Sequence, residues 1–174
     1  DARADRSPGE FYQLDIEMSF VEQENIFEVV ENLMINLFKK FSSKKMMFEK
    51  FPRISYDETM LKYGTDKPDL RNPLLIYDIT NIFSREDVSF EIFKKLIKSG
   101  SKVRCIVTKN TKDKPRSFFD NVDKWAKEQG ASGLAYFTLE EKDKKISAKG
   151  PVGKFFSDEA IQEIMKITSA DMGD

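Results

Sequence analysis

Phe11, Gln13 and Asp15 occupy alternate positions in the run from Phe11 to Phe20 and put an aromatic ring, an amide and a carboxylate on one side of the chain. If that run is extended, neighbours on one side are roughly 7 Å apart, a spacing that suits a ligand lying along the strand. The ring offers a flat face, the amide a dipole and the acid an anion for an ammonium. Tyr12, Leu14, Ile16, Met18 and Phe20 fall on the other side and are expected in a core. By pattern alone, an ordinary half-buried antiparallel strand with a polar outer face gives the same alternation. A second stretch is basic. From Lys94 to Arg116 come Lys95, Lys98, Lys102, Arg104, Lys109, Lys112 and Lys114, with Asp113 as the one acid. Such a cluster can neutralise RNA phosphates, with affinity falling as salt rises. It can equally be a solubilising lysine surface that protects the edge of a hairpin.

Composition narrows the chemistry. There is no histidine, which removes Ser-His, Cys-His and histidine general-base mechanisms and leaves positioning and charge as the means of catalysis. The single cysteine, Cys105, excludes an internal disulfide and any multi-cysteine metal site and fits a reducing, cytosolic compartment. No metal site is expected. Basic and acidic residues balance at 29 and 30, so any electrostatic footprint for nucleic acid must be local. No apolar run reaches the length of about 20 residues that a membrane span needs, and no signal-peptide pattern is present. An Asp as first residue, in mid-motif, predicts a fragment.

The elements around these residues follow from periodicity and punctuation. Ile26, Val30, Leu33, Leu37 and Phe41 recur at helical spacing, so Glu22 to Phe41 is expected as a long amphipathic helix packed on a core. Phe51 to Ile54 is extended by its proline. Ser55 with Glu58 has capping-box spacing and opens a short helix that ends at Tyr63-Gly64. Thr65 to Pro73 reads as a loop and an inter-domain boundary. Beyond it the pattern predicts strands over Leu74 to Ile79, Ser89 to Ile97 and Lys102 to Lys109, the last two joined as a hairpin through Ser99-Gly100-Ser101. Ser117 is expected to cap a helix that stops at Gly130. Strands over Leu134 to Leu139 and near Ile146 follow, then a helix capped by Ser157 with Ile161, Ile164, Met165 and Thr168 inward. The second part therefore reads β-β-α-β-β-α, one sheet face covered by two helices, an α+β layer architecture.

Three stretches carry a resemblance. Asp1 to Asp15, DARADRSPGEFYQLD, resembles the second half of motif 2 of the bacterial-type aspartyl-tRNA synthetases, which are class II enzymes. Tyr63 to Arg71, YGTDKPDLR, and Gly130 to Tyr136, GASGLAY, are similar to the same family and lie in its order. The resemblance implies part of a class II antiparallel-sheet catalytic domain over 1–71. Over 72–174 it implies the insertion called the GAD domain, with an acceptor-end, tRNA-facing role. It implies adenine stacking on Phe11, substrate α-ammonium against Asp15, a polar contact from Gln13, and a nucleotide-side position for Ser7, where relatives often carry glutamine. Arg3 and Arg6 stand in the loop that reaches tRNA, and Lys102, Arg104 and Lys109 are the insertion's candidate tRNA contacts. Exposed pairing with Asp1 and Asp5 is the other reading of the two arginines.

What the family does is activate aspartate with ATP and Mg2+ and pass it to the 3′ end of tRNA, as a homodimer in the cytoplasm. That displacement asks mainly for orientation and charge stabilisation. The motif 2 arginine and glutamate, motif 3 and the anticodon-binding barrel are not in this sequence, so no catalytic residue is assigned and the polypeptide alone is expected to be inactive, with no cofactor held tightly. The alternative is an RNA-contacting module like those in subunits of tRNA-dependent amidotransferases, against which the F-x-Q-L-D run argues.

Overall fold

The computed structural model describes residues 9–142 and 145–174, and contacts divide the chain into two units, Asp1–Arg53 and Ile54–Asp174. The division falls ahead of the sequence-derived boundary near Asn72 because the short helix after Ser55 lies against the first strand of the second unit, with Gly64 close to Ile76.

In the first unit the helix α1 spans Gln23–Phe41. Its start is tied by Asn25, whose side chain accepts from the Glu22 N–H at 2.9 Å, and Lys39 and Lys40 sit in the last turn, where cations suit the helix dipole. The expected apolar stripe is present but uncovered: no residue of α1 is buried, and Val30 and Leu37 are 43% and 46% exposed. Glu31 fastens the returning chain to the helix. It accepts the Phe51 N–H, while Arg53 lies 4.0 Å from Glu31 and 3.6 Å from Glu24 and covers the Phe27 ring at 4.6 Å.

The expected strand over Phe11 to Phe20 does not form. Residues 11–18 adopt no regular structure, and Tyr12, Leu14, Ile16, Met18 and Phe20, assigned to a core, are all exposed. The reason is pairing. A strand satisfies its N–H and C=O groups through a neighbour, and no described segment pairs with this one. At Phe20 φ is +57°, and the bend there ends the run before α1.

The second unit mixes helices with two small antiparallel sheets. Helix α2, Tyr56–Tyr63, starts as expected with Ser55 accepting from the Glu58 N–H at 3.2 Å and stops at Gly64, φ +70°. Strand β1, Ile76–Asp78, pairs with β2, Arg104–Ile106, in the register Ile76↔Ile106 and Asp78↔Arg104. Between them lie α3, Thr80–Phe83, and α4, Glu91–Lys98. The expected strand over Ser89 to Ile97 and its hairpin are thus overturned. Phe90, Phe93 and Ile97 have helical spacing, and all three pack on the core formed by Ile79, Ile82, Phe83, Val88, Ala160 and Ile164.

Helix α5, Arg116–Glu128, has Pro115 at its N-cap position and no side-chain cap, and Ser117, expected to cap it, lies in its first turn. Strand β3, Thr138–Lys142, pairs with β4, Lys145–Lys149. Helix α6, Asp158–Thr168, is capped as expected by Ser157, which accepts from the Ala160 N–H at 3.0 Å, and buries Ile161, Ile164 and Thr168. A second core of Leu139, Ile161 and Ala170 joins the first through Phe137 and Phe156, which pack on both. At Gly153 only a residue without a side chain fits, since a Cβ would come within 2.3 Å of the Ala148 carbonyl oxygen.

Candidate functional site

Of the residues assigned to nucleotide and amino acid, Phe11, Gln13 and Asp15 are described. All three are exposed, and Phe11 shows 69% of its surface. The Gln13 amide donates to Asp15 Oδ1 at 2.7 Å, so these two share a side of the chain, as i and i+2 positions on an extended backbone do. The arrangement offers a free ring and an amide-bonded carboxylate. Arg3, Arg6 and Ser7 lie outside the described residues.

The basic residues of the second unit are carried by several elements. Lys94, Lys95 and Lys98 ride on α4. Lys102 and Arg104 flank Asp78, the partner of Arg104 across β1 and β2. Hydrogen bonds from Thr80 hold the Asp78 carboxyl below its ordinary range, and the charges of Lys102 and Arg104 add to this. Lys109 is engaged elsewhere: its ammonium donates to Asp174 Oδ2 at 2.6 Å and to the Ser169 carbonyl at 3.0 Å. Arg116 stands 3.6 Å from Asp120. Lys102 and Arg104 therefore both act on Asp78, whereas Lys109 is paired with Asp174.

Two further charged groups escaped sequence reasoning. In the loop after α2, Arg71 grips Asp69 with Nε at 2.8 Å and Nη2 at 2.6 Å, and its own N–H adds a third bond at 3.0 Å. Arg71 holds the Asp69 carboxyl down at about 2. Arg85 grips Asp87 in the same way, with two bonds of 2.8 Å, and reaches Glu163 at 2.5 Å. Ser157 donates to Asp87. Both forks are Arg and Asp two residues apart, a spacing visible in the sequence. The closure through Ser157 and Glu163 spans more than half of the unit and is not. Among the described residues no group of three or more carboxylate, thiol or imidazole side chains converges to hold a metal ion, and no helix is long and apolar enough to cross a membrane.

The profile of the tRNA synthetases class II (D, K and N) matches residues 1–163. The chain belongs to this class II synthetase family. Among its relatives in that family, the aspartate–tRNA(Asp/Asn) ligase of Pelagibacter ubique is 79% identical over 174 residues, covering 100% of this chain and 29% of the relative. The ligase of the same name from Methylorubrum populi is 51% identical over 174 residues, with 100% and 29% covered. That from Ehrlichia chaffeensis is 55% identical over 174 residues, with 100% and 28% covered. The chain thus spans less than a third of the length of these class II synthetases.

Proposed function

We propose that this chain is a segment of an aspartate–tRNA ligase that activates aspartate with ATP and transfers it to the 3′ end of aspartate and asparagine tRNAs. The observation that carries the reading is the end-to-end similarity, 79% over 174 residues, to a ligase named for both tRNAs. In this reading the run from Phe11 to Phe20 becomes a strand of the catalytic sheet when its neighbour strand is supplied by the rest of the enzyme. Phe11 then stacks on adenine, Gln13 orients, and Asp15 meets the substrate ammonium; Ser7 lies near the nucleotide. The exposed ring of Phe11 and the bond from Gln13 to Asp15, which keeps those two on one side of the chain, support this. Magnesium supplies charge neutralisation for the ATP phosphates when bound.

The region 72–174 acts as the insertion domain, a two-layer unit. Phe137 and Phe156, shared by both cores, support one continuous layer. Arg3 and Arg6 touch the acceptor end of tRNA, with Lys102 and Arg104 adding phosphate contacts from the insertion. Lys109 contributes mainly by holding Asp174. The whole enzyme is a cytoplasmic homodimer, and the segment by itself forms no aspartyl adenylate, because the arginines that gather ATP in this family belong to motifs outside it.

The test uses the full-length enzyme. Asp15→Asn is expected to raise KM for aspartate by about tenfold to a hundredfold, the value of one charge-assisted hydrogen bond, with KM for ATP nearly unchanged. Phe11→Ala is expected to raise KM for ATP by about tenfold, the value of one stacked base. Pyrophosphate exchange measures both. Equal effects of both substitutions on both substrates would refute the assignment, as would exchange activity in the isolated segment.

A further inference from the structure

Helix α5 has one face engaged and one open. On the engaged side Ala126 is buried and Phe119 stacks on Tyr136 with centroids 4.2 Å apart. On the open side Phe118 is 39% and Trp125 61% exposed, and Phe118, Asn121, Val122 and Trp125 frame a depression in the surface. These four stand at i, i+3, i+4 and i+7, the set that forms the hole in which a side chain of a facing helix seats. The Phe118 ring is set in advance, since it lies edge-on to Phe119 at 5.2 Å and 84°. Exposed aromatic rings beside such a hole have the character of contact anchors.

Charge and order indicate what covers the face. The helix carries three basic and three acidic residues, and they pair along it: Arg116 with Asp120 at 3.6 Å, Lys127 with Asp123 at 2.6 Å and Lys124 with Glu128 at 3.9 Å. It therefore presents no net field, and a strongly acidic or basic partner gains nothing from it. A copy of itself meets no repulsion. The stripe also reads nearly the same in both directions, a ring, two smaller residues and a ring, which is what a two-fold contact between identical patches requires.

We propose that α5 pairs with α5 of a second copy of this chain, antiparallel, about a two-fold axis between Asn121 and Val122. That axis sets Phe118 of each copy against Trp125 of the other. The two Asn121 amides meet at the centre, where a polar residue fixes register, and Lys114 comes opposite Glu128 of the second copy at the rim, both exposed in the single chain. One helix from each side makes an interface below the size of stable ones, so the Kd is expected at about 0.1 to 1 mM. The contact does not depend on the ligase reading.

The experiment uses the 174-residue chain with Val30→Glu and Leu37→Glu, so that the exposed stripe of α1 takes no part. Trp125 is the chain's one tryptophan and reports the face directly. Its emission is expected to move to the blue between about 10 µM, where few chains are paired, and about 1 mM, where half or more are. Phe118→Glu is expected to abolish the shift, with far-ultraviolet circular dichroism confirming the fold. Asn121→Glu, at an exposed position, does the same while leaving both rings in place, should the first variant not fold. Orientation is read by oxidation after Cys105→Ser: Asn121→Cys is expected to form a disulfide-linked dimer. Gln129→Cys is not, because antiparallel pairing sets its two copies about 22 Å apart along the helices, beyond disulfide reach. An emission that stays constant with concentration, a shift that survives either glutamate in a folded chain, or cross-linking through position 129 as readily as through 121 would each overturn the proposal.

Discussion

Asp87 is the residue on which the second unit's polar clasp turns. It receives two bonds from Arg85 and one from Ser157, and Ser157 at the same time caps α6. Arg85 first and Ser157 second hold the Asp87 carboxyl well below its ordinary range. A carboxyl depressed in the folded state stabilises the fold wherever it is ionised in both states. The contribution is therefore complete above the ordinary carboxylate pKa of about 4 and disappears as pH falls toward the folded value. Urea melts of this unit between pH 6 and pH 3 are expected to show stability dropping on the acid side, and Asp87→Asn to flatten that drop. A variant with the parent's full acid slope would show that the clasp is not its source. Ser157→Ala removes the cap as well and is expected to cost about 1 kcal/mol at neutral pH. At this scale the sequence was partly readable. Ser157 and Ser55 were visible as caps because a cap and its partner lie three residues apart. Lys109 was not readable, since what occupies its ammonium lies 65 residues away.

Among the elements, the turn from β4 into α6 makes the sharpest demand. Gly153 has backbone 2.3 Å from where a Cβ would sit, whereas Gly100, at φ +93°, has nothing within 4 Å. Gly153→Ala must push two backbone segments apart and is expected to cost about 2 to 3 kcal/mol, as overpacking does. Gly100→Ala meets only the left-handed backbone penalty of about 1 to 2 kcal/mol. Chemical denaturation of the two variants orders them, and a larger loss at Gly100 would contradict the close approach. The same scale shows why two expectations diverged. Phe90, Ile92, Phe93, Leu96 and Ile97 fit a two-residue period loosely and a helical period well. The helix prevailed because it turns Phe90, Phe93 and Ile97 onto one core together. Phe11 to Phe20 fits a two-residue period without fault and still forms no strand, because alternation sets which side a residue takes but cannot supply a neighbour. The shared side of Gln13 and Asp15 was legible for the same reason that the strand was not: their alignment is local, the pairing is not.

Taken whole, the chain exposes large apolar side chains in both units, and the longest run of them lies in the first, on α1 and the segment before it. Patches of that kind are unusual on a monomer and mark a missing contact. The 174-residue chain is expected to self-associate as its concentration rises, and the double substitution Val30→Glu, Leu37→Glu to return it to the mass of a monomer. Sedimentation equilibrium measures both. A parent chain monomeric at every concentration would mean that the stripe is covered within the molecule. The second unit differs: its cores are joined, and its last residues are stitched in. The Leu139 N–H donates to the Asp174 carbonyl and the Gly173 N–H returns the bond to Leu139, each at 2.9 Å, while Lys112 donates to Gly173 at 3.1 Å. Any polypeptide joined after Asp174 therefore leaves along a set heading, like a rail bolted at its last sleeper, and a load pulling on it would be felt first by the pairing of β3 rather than taken up as slack.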